Sequence, residues 1–162
     1  MFAIFNTSVP QPRGGFCISV FLIVKRNSEI LVGKISNPER WSKNWGLDLA
    51  HPERWRDRWQ IPAAFLEIGD HPNQTAERIL REQLERKEFK ISEPKFFVSG
   101  GESSVRPGTI HNDLFFVYEM QYPDELVQPE CFSELHFVKR PKLSELNFGR
   151  GHDEVLRLAG VM

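Results

Sequence analysis

The chain has little that would tie it to a membrane, an oxidising compartment or a polyanion. Its longest apolar stretch, residues 16–24, is far shorter than the roughly 18 residues of a spanning helix. Two cysteines are too few for a disulfide framework, and a net charge of −1 gives no bulk attraction to nucleic acid or to an acidic membrane. The N-terminus also lacks the basic segment of a signal peptide. We therefore expect a cytoplasmic protein.

The residues that are abundant favour a globular α/β protein. Hydrophobic residues make up 40% of the 162 positions, and the 13 Phe and 4 Trp are enough for an aromatic core. This length is typical of one domain. We expect a single domain over residues 1–162, with an irregular N-terminal arm at 1–14 and a tryptophan-rich insertion at 36–59.

Apolar segments with strand character alternate with amphipathic ones. Two strands at 15–25 and 29–35 are predicted to form a hairpin, because only a short turn separates them. Shorter strands are predicted at 60–61, 65–67, 95–99, 113–121 and 135–138, with a helix over 74–87, a helical turn at 142–146 and a closing helix at 153–159. The first strand is apolar on both of its faces, which calls for helices on both sides of one mixed sheet.

All four tryptophans fall in the insertion, which contains a small repeat. The sequence NPERWSKNW at 37–45 returns as HPERWRDRW at 51–59. The rings either anchor the insertion on the sheet or stack on a nucleobase, since any base offers a flat face. Neighbouring arginines could reach phosphates. The candidates for ligand binding are Arg54, Arg58, Trp55 and Trp59.

Residues 59–86 resemble the Nudix hydrolase motif. That motif reads G-x5-E-x7-R-E-U-x-E-E-x-G-U, with U aliphatic, and W-x-L-P-G usually precedes it. Here residues 59–62 match the lead-in, while Arg78, Leu80 and Glu82 occupy the arginine, the aliphatic position and the first Glu of the pair. The resemblance covers roughly residues 15–159 and implies an α/β/α Nudix-type sandwich with a mixed β-sheet between helices.

The departures from the motif fall on the residues that carry its chemistry. Ala64 replaces the opening Gly, and Ile79 and Gln83 replace two helix carboxylates. In the family those carboxylates hold Mg²⁺ or Mn²⁺, so two negative charges are missing from the expected metal site. Glu85 replaces the Gly that usually ends the helix, which predicts a helix one turn longer.

A second register of the motif is also open. Arg81 and Glu82 together with Glu85 restore an R-E-x-x-E pattern three residues later. This register places Gln83 at the aliphatic position and Arg86 at the second Glu, and it gives up the match of residues 75–80.

The resemblance implies a set of site residues. Glu82 would hold a metal, Arg78 would support the preceding loop, and Gln83 could offer its carbonyl oxygen to the ion or the ligand. In one branch, the sugar-nucleotide mannosyl hydrolases, a His outside the helix acts as base, and His111 and His152 are the candidates here. The implied catalytic set is Glu82, Arg78, Asp70 and His111, and the implied metal ligands for Mg²⁺ or Mn²⁺ are Glu82, Asp70 and Glu67.

Two functions are compatible with these residues. The first is a divergent, magnesium-dependent Nudix-like hydrolase of a nucleoside diphosphate linked to another moiety. The alternative is a catalytically inactive Nudix-fold module that binds a nucleotide or a protein. We expect a nucleotide-type small molecule as partner, and neither a membrane nor bulk nucleic acid. The oligomeric state stays open, with a homodimer among the options.

Overall fold

The structure, a computed structural model, describes residues 15–36, 57–86, 90–102, 108–122 and 126–162. The predicted N-terminal arm and most of the predicted tryptophan-rich insertion lie outside these residues, so both stay predictions. No helix within the described ranges is long and apolar enough to cross a membrane.

Strands and helices follow one another in nearly the predicted order. The strands are β1 (Phe16–Arg26), β2 (Glu29–Ile35), β3 (Ala63–Phe65), β4 (Lys95–Glu102), β5 (Ile110–Gln121) and β6 (Phe132–Lys139). The helices are α1 (Pro72–Gln83), a 3₁₀ helix (Arg140–Glu145) and α2 (His152–Leu158). The predicted hairpin is β1–β2, and the predicted strand at 60–61 is a single bridge between Gln60 and Gly33.

The six strands form one mixed sheet. The order is β4-β5-β1-β2-β6, with β1 parallel to β5 and antiparallel to β2. β1 and β2 pair only near their hairpin, and residues 60–65 lie between them where they separate. In that segment Gln60 exchanges two backbone hydrogen bonds with Gly33 of β2, while β3 pairs with β1. This arrangement fixes the start of the loop that leads into α1.

Each face of the sheet is covered by helical structure. On one face Ile79 and Leu80 of α1 pack in a core with β1 residues such as Leu22. On the other face α2 and the 3₁₀ helix pack in a second core that includes Phe21. Successive side chains of a strand point to opposite faces, so β1 supplies both cores and is apolar at both alternations. The predicted α/β/α arrangement is confirmed.

The start of α1 is set by an unusual cap. His71 is the N-cap residue, and its Nδ1 accepts a hydrogen bond from the Asn73 N–H at 3.2 Å. Gln74 completes the capping box, because its Oε1 accepts the N–H of His71 at 2.6 Å. Pro72 occupies the first helical position, where its missing N–H costs nothing. The helix therefore begins two residues before the predicted start.

The end of α1 corrects the prediction of a longer helix. The helix ends at Gln83, and Glu85 adopts a left-handed conformation with φ of 53°. The Arg86 N–H then donates to the Leu80 carbonyl at 2.9 Å, which satisfies one of the free carbonyls at the helix end. Glu85 thus adopts the left-handed backbone conformation for which the motif normally uses a glycine. The chain makes the same turn here with a glutamate.

Replacing Glu85 by glycine should therefore stabilise the protein. The left-handed conformation costs a non-glycine residue roughly 1–2 kcal/mol, so we expect a gain of about 1 kcal/mol in the free energy of unfolding. Urea denaturation measures the change. Arg81→Gly, inside the same helix, is the matched control and should destabilise by about 1 kcal/mol. Equal effects of the two substitutions would contradict the prediction.

Candidate functional site

Arg78 holds the loop between β3 and α1. Its Nη2 donates to the Phe65 carbonyl at 3.1 Å, and its Nη1 lies 3.1 Å from the Glu67 carboxylate. A guanidinium suits this position because its planar fork can bind two oxygens at once. Arg81, one turn later, is largely exposed and lies 3.5 Å from Glu82. Only Arg78 thus contacts the loop in the way expected of the motif arginine, which favours the unshifted register.

The face of α1 that would carry metal ligands is packed instead. Ile79 and Gln83 are each 1% exposed. The Gln83 side chain makes two hydrogen bonds with Ala63: its Oε1 accepts the backbone N–H at 3.2 Å, and its Nε2 donates to the carbonyl at 2.8 Å. The carbonyl oxygen that Gln83 was expected to offer to an ion or ligand is therefore engaged with the Ala63 backbone in this structure, and its role in binding stays a prediction.

These two positions do not fit a magnesium ion. Mg²⁺ needs near-octahedral oxygen ligands at short distances. Ile79 offers only a hydrocarbon side chain, and the Gln83 amide is hydrogen-bonded to the backbone of Ala63 in β3. The multi-metal cluster of the motif cannot be assembled on this helix face without breaking that packing.

The remaining acidic candidates lie on or beside the loop but do not converge. Glu82 is one-third exposed and pairs with Arg81, while Glu67 pairs with Arg78. The Asp70 N–H donates to the Glu67 carbonyl at 3.1 Å, which makes a turn of the loop. Among the described residues, these acids form no group of three ligating side chains close enough to share an ion. The metal set of Glu82, Asp70 and Glu67 remains a prediction.

Trp59 is tied to the C-terminal part of the chain. Its N–H donates to the Asn147 carbonyl and its carbonyl accepts the Gly149 N–H, both at 3.0 Å. Its ring lies 4.7 Å from Lys34 Nζ and packs at the edge of the second core. These contacts give Trp59 a structural role. Arg58 is partly buried directly before it, and two other candidates for ligand binding, Arg54 and Trp55, lie outside the described residues.

His111 belongs to a cluster that the sequence did not reveal. Its Nε2 lies 3.2 Å from Asp113 Oδ1, and the Cys17 Sγ donates to the same oxygen at 2.5 Å. Burial, followed by the hydrogen bond and the charge of Asp113, raises the pKa of the Cys17 thiol to about 12. The thiol is therefore protonated at neutral pH. We call these three residues the β1–β5 cluster.

The sequence missed this cluster because its members are far apart along the chain. Cys17 and Asp113 are register partners in the parallel pairing of β1 with β5. A search for His and Cys at short spacings cannot find such a pair. One signal was present: His111 and Asp113 are two residues apart in a strand, which places both on one face.

The other candidate base, His152, is fully enclosed. It is 2% exposed, and its Nδ1 accepts the Ile61 N–H at 3.0 Å. Its ring also meets Phe21 edge-on, with centroids 5.2 Å apart. Burial, with a contribution from the charge of Arg150, lowers the pKa of His152 to about 3. His152 is a neutral structural residue that cannot reach a substrate.

Comparison of the sequence alone finds no matching family model and no matching curated protein. Comparison of the structure finds many similar proteins. The MutT protein of Methanosarcina mazei Go1 aligns with a TM-score of 0.63 at 10% identity, over 94% of this chain and 95% of that one. For the Nudix hydrolase RenU of M. smegmatis the TM-score is 0.60 at 13% identity, over 93% and 92%. For the Nudix domain of Shewanella oneidensis NrtR, complexed with ADP ribose, it is 0.57 at 16% identity, over 94% and 88%. This chain has the Nudix fold.

Proposed function

We propose that this Nudix-fold chain binds a nucleotide-type ligand that contains a diphosphate, and that it does not hydrolyse the ligand through a metal cluster on α1. The observation that carries the proposal is the pair of hydrogen bonds between the Gln83 amide and the Ala63 backbone, beside a fully buried Ile79. The helix that performs the chemistry in the motif serves here as part of the core.

Energetics support the loss of the metal cluster. Freeing Gln83 for an ion would break two hydrogen bonds, each worth about 1 kcal/mol, and would leave polar groups of Ala63 without partners. Exposing Ile79 would cost roughly a further 1.5–3 kcal/mol. The binding energy of an ion at this face would have to exceed these costs, although the face carries fewer carboxylates than the motif provides.

The loop beside the helix supports a retained binding function. Arg78 still fixes this loop through Phe65 and Glu67, although its neighbours no longer form a cluster of helix carboxylates. The NrtR domain, which shares the fold, was solved with ADP ribose. A nucleoside diphosphate linked to another group is therefore the ligand class we assign to this chain.

The position of Glu82 is compatible with a second function, a hydrolase that uses a single metal ion. It is partly exposed on α1, as it must be to hold an ion together with the loop acids Glu67 and Asp70. A hydrolase that used one Mg²⁺ or Mn²⁺ ion in this way would still cleave a diphosphate. The two functions differ in whether product forms.

Titration calorimetry combined with product analysis tests the proposal. The purified protein is titrated with ADP ribose, a dinucleoside polyphosphate and a UDP-sugar, first with EDTA present and then with Mg²⁺ or Mn²⁺. We expect at least one ligand to bind in EDTA and to be recovered intact by chromatography after incubation with either metal.

Glu82→Gln is the matched variant for this experiment. We expect it to bind the ligand as the parent protein does. If a nucleoside monophosphate accumulates with metal, and Glu82→Gln abolishes its formation, the chain is a single-ion hydrolase and the proposal fails. If none of the three ligands binds under any condition, the assigned ligand class is wrong.

A further inference from the structure

Three side chains with different ligating atoms meet near the first residues of β1 and β5, away from α1. We propose that the β1–β5 cluster of Cys17, His111 and Asp113 binds a zinc-type divalent transition-metal ion. The proposal is independent of any metal at the motif helix, since the cluster lies on the other face of the sheet. Its ligand atoms all lie within 4.8 Å of one another.

The pairing of β1 with β5 holds the cluster together. Cys17 is the register partner of Asp113, so both side chains stand side by side on one face. His111 lies two residues before Asp113 and joins the same face. Alternation along β1 places Cys17 on the face of Phe21, which packs against α2. Two adjacent strands of a central sheet thus present all three ligands, and strands hold ligands more precisely than loops do.

The donor set matches zinc better than magnesium. A soft thiolate and an imidazole both suit Zn²⁺, which is a borderline-soft ion, whereas Mg²⁺ prefers oxygen ligands. Three protein ligands with a fourth position left for water or an anion is the pattern of zinc sites that act on a substrate. The side chains of His111 and Asp113 are 28% and 35% exposed, so the fourth position is reachable from solvent.

The distances need only a small adjustment. Tetrahedral zinc with ordinary bond lengths separates its ligand atoms by about 3.4–3.6 Å. The present separation of 3.2 Å between His111 Nε2 and Asp113 Oδ1 is close to that value. The hydrogen-bonded Cys17 and Asp113, now 2.5 Å apart, would separate by about 1 Å as the ion replaces the shared proton.

The charges in the cluster favour a cation. When the ion binds, the Cys17 S–H bond breaks, the proton passes to solvent and an S–metal bond forms in its place. Asp113 and the Cys17 thiolate then carry two negative charges against one positive charge on Arg150, which interacts with both. One net negative charge remains for the ion to neutralise. Arg150 in turn favours an anion, such as a phosphate, as the fourth ligand.

A nucleophilic role for Cys17 fits the geometry less well. In a cysteine triad the histidine stands between the thiol and the acid and takes the thiol proton. Here the Cys17 Sγ and the His111 Nε2 both approach the same Asp113 carboxylate oxygen. The Cys17 thiol thus donates its hydrogen bond to the acid, and the three candidate ligand atoms lie within 4.8 Å of one another.

Cobalt titration tests the proposal. Co²⁺ commonly substitutes for Zn²⁺ in sites of this kind, and a cobalt–thiolate bond gives a charge-transfer band in the near ultraviolet. The reduced, metal-free protein is titrated with Co²⁺ and then with Zn²⁺. We expect one Co²⁺ to bind with a thiolate band that Zn²⁺ abolishes by displacing it, and we expect Zn²⁺ to raise the melting temperature.

The variants Cys17→Ser, His111→Gln and Asp113→Asn should each weaken Co²⁺ binding by more than the roughly 10–100-fold caused by changing an outer partner. Cys131→Ser is the matched control. Cys131 is buried against α1, where its Sγ donates to the Gln83 carbonyl, and a serine hydroxyl can replace that bond. Circular dichroism of the metal-free proteins shows which variants are folded, and Asp113→Asn keeps the size of the side chain if Cys17→Ser does not fold.

Three results would each overturn the proposal. The first is the absence of a thiolate band at saturating Co²⁺. The second is a band of equal strength in a folded Cys17→Ser variant, or an unchanged Co²⁺ affinity in a folded Asp113→Asn variant. The third is a band that disappears in Cys131→Ser, because it would assign the thiolate to the other cysteine.

Discussion

Replacing Ile79 by glutamate is expected to cost roughly 3–5 kcal/mol of stability, enough to unfold a marginal domain. The motif has a glutamate here, but Ile79 is 1% exposed and packs between α1 and the sheet. A carboxylate at this position would be buried without a partner, or would stay protonated at a similar cost. Urea denaturation of the single variant measures the loss.

Arg81→Glu is the control for helix position and charge. Arg81 is on the same helix but largely exposed, and surface changes of this kind usually stay within about 0.5 kcal/mol. The double variant Ile79→Glu, Gln83→Glu would restore the two carboxylates of the motif. A folded double variant that gained strong Mn²⁺ binding would show that this face opens to a cleft, and would refute the packing argument.

Acid should destabilise the protein through His152. Burial keeps this imidazole neutral in the folded state, with its pKa lowered from 6.5 to about 3. In the unfolded chain it takes up a proton below about pH 6.5. The free energy of unfolding therefore falls as the pH drops from about 6.5 towards 3, by up to about 1.4 kcal/mol per pH unit. Urea midpoints measured across this range test the slope.

His152→Asn isolates the contribution of His152 from other acid effects. The Asn carbonyl can accept the Ile61 N–H in place of Nδ1, but it does not titrate. Glu119 also destabilises the folded protein in acid. Burial raises its pKa, but hydrogen bonds from Lys25 and Lys95 outweigh burial, so its pKa is lowered overall and these bonds are weakened when the carboxylate is protonated. Both proteins share that loss. A flatter profile in the variant is expected, and parallel profiles would show that His152 contributes nothing.

The sheet and its two helical layers were predictable because the spacing of hydrophobic residues along a strand or helix indicates which of its faces are buried. β1 has apolar residues on both of its faces because it supplies two cores, and the helix over 72–83 has its apolar residues on one side. The motif also predicted that Arg78 supports the loop, and in the structure its guanidinium donates to the Phe65 carbonyl there. These features depend on residue type and on short spacing, which a single sequence contains.

The chemistry of the site was harder to predict because it depends on partners that are distant in sequence. The two hydrogen bonds of the Gln83 amide are made with the backbone of Ala63, which lies 20 residues earlier in the sequence, so the motif alone could not predict them. The left-handed conformation of Glu85 is disfavoured for its residue type, so the sequence pointed to a longer helix. The β1–β5 cluster exists only through a pairing that joins residues 96 positions apart.

The segment 60–63 couples the layers of the protein mechanically. Gln60 is bonded to β2, and the Pro62 carbonyl accepts a hydrogen bond from Leu22 of β1. The Ile61 N–H is held by a side chain of α2 and the Ala63 N–H by a side chain of α1. Neither helix can leave the sheet without breaking a hydrogen bond to a backbone amide of this segment. The two cores, which lie on opposite faces and share few side chains, are therefore expected to open as one cooperative unit rather than independently.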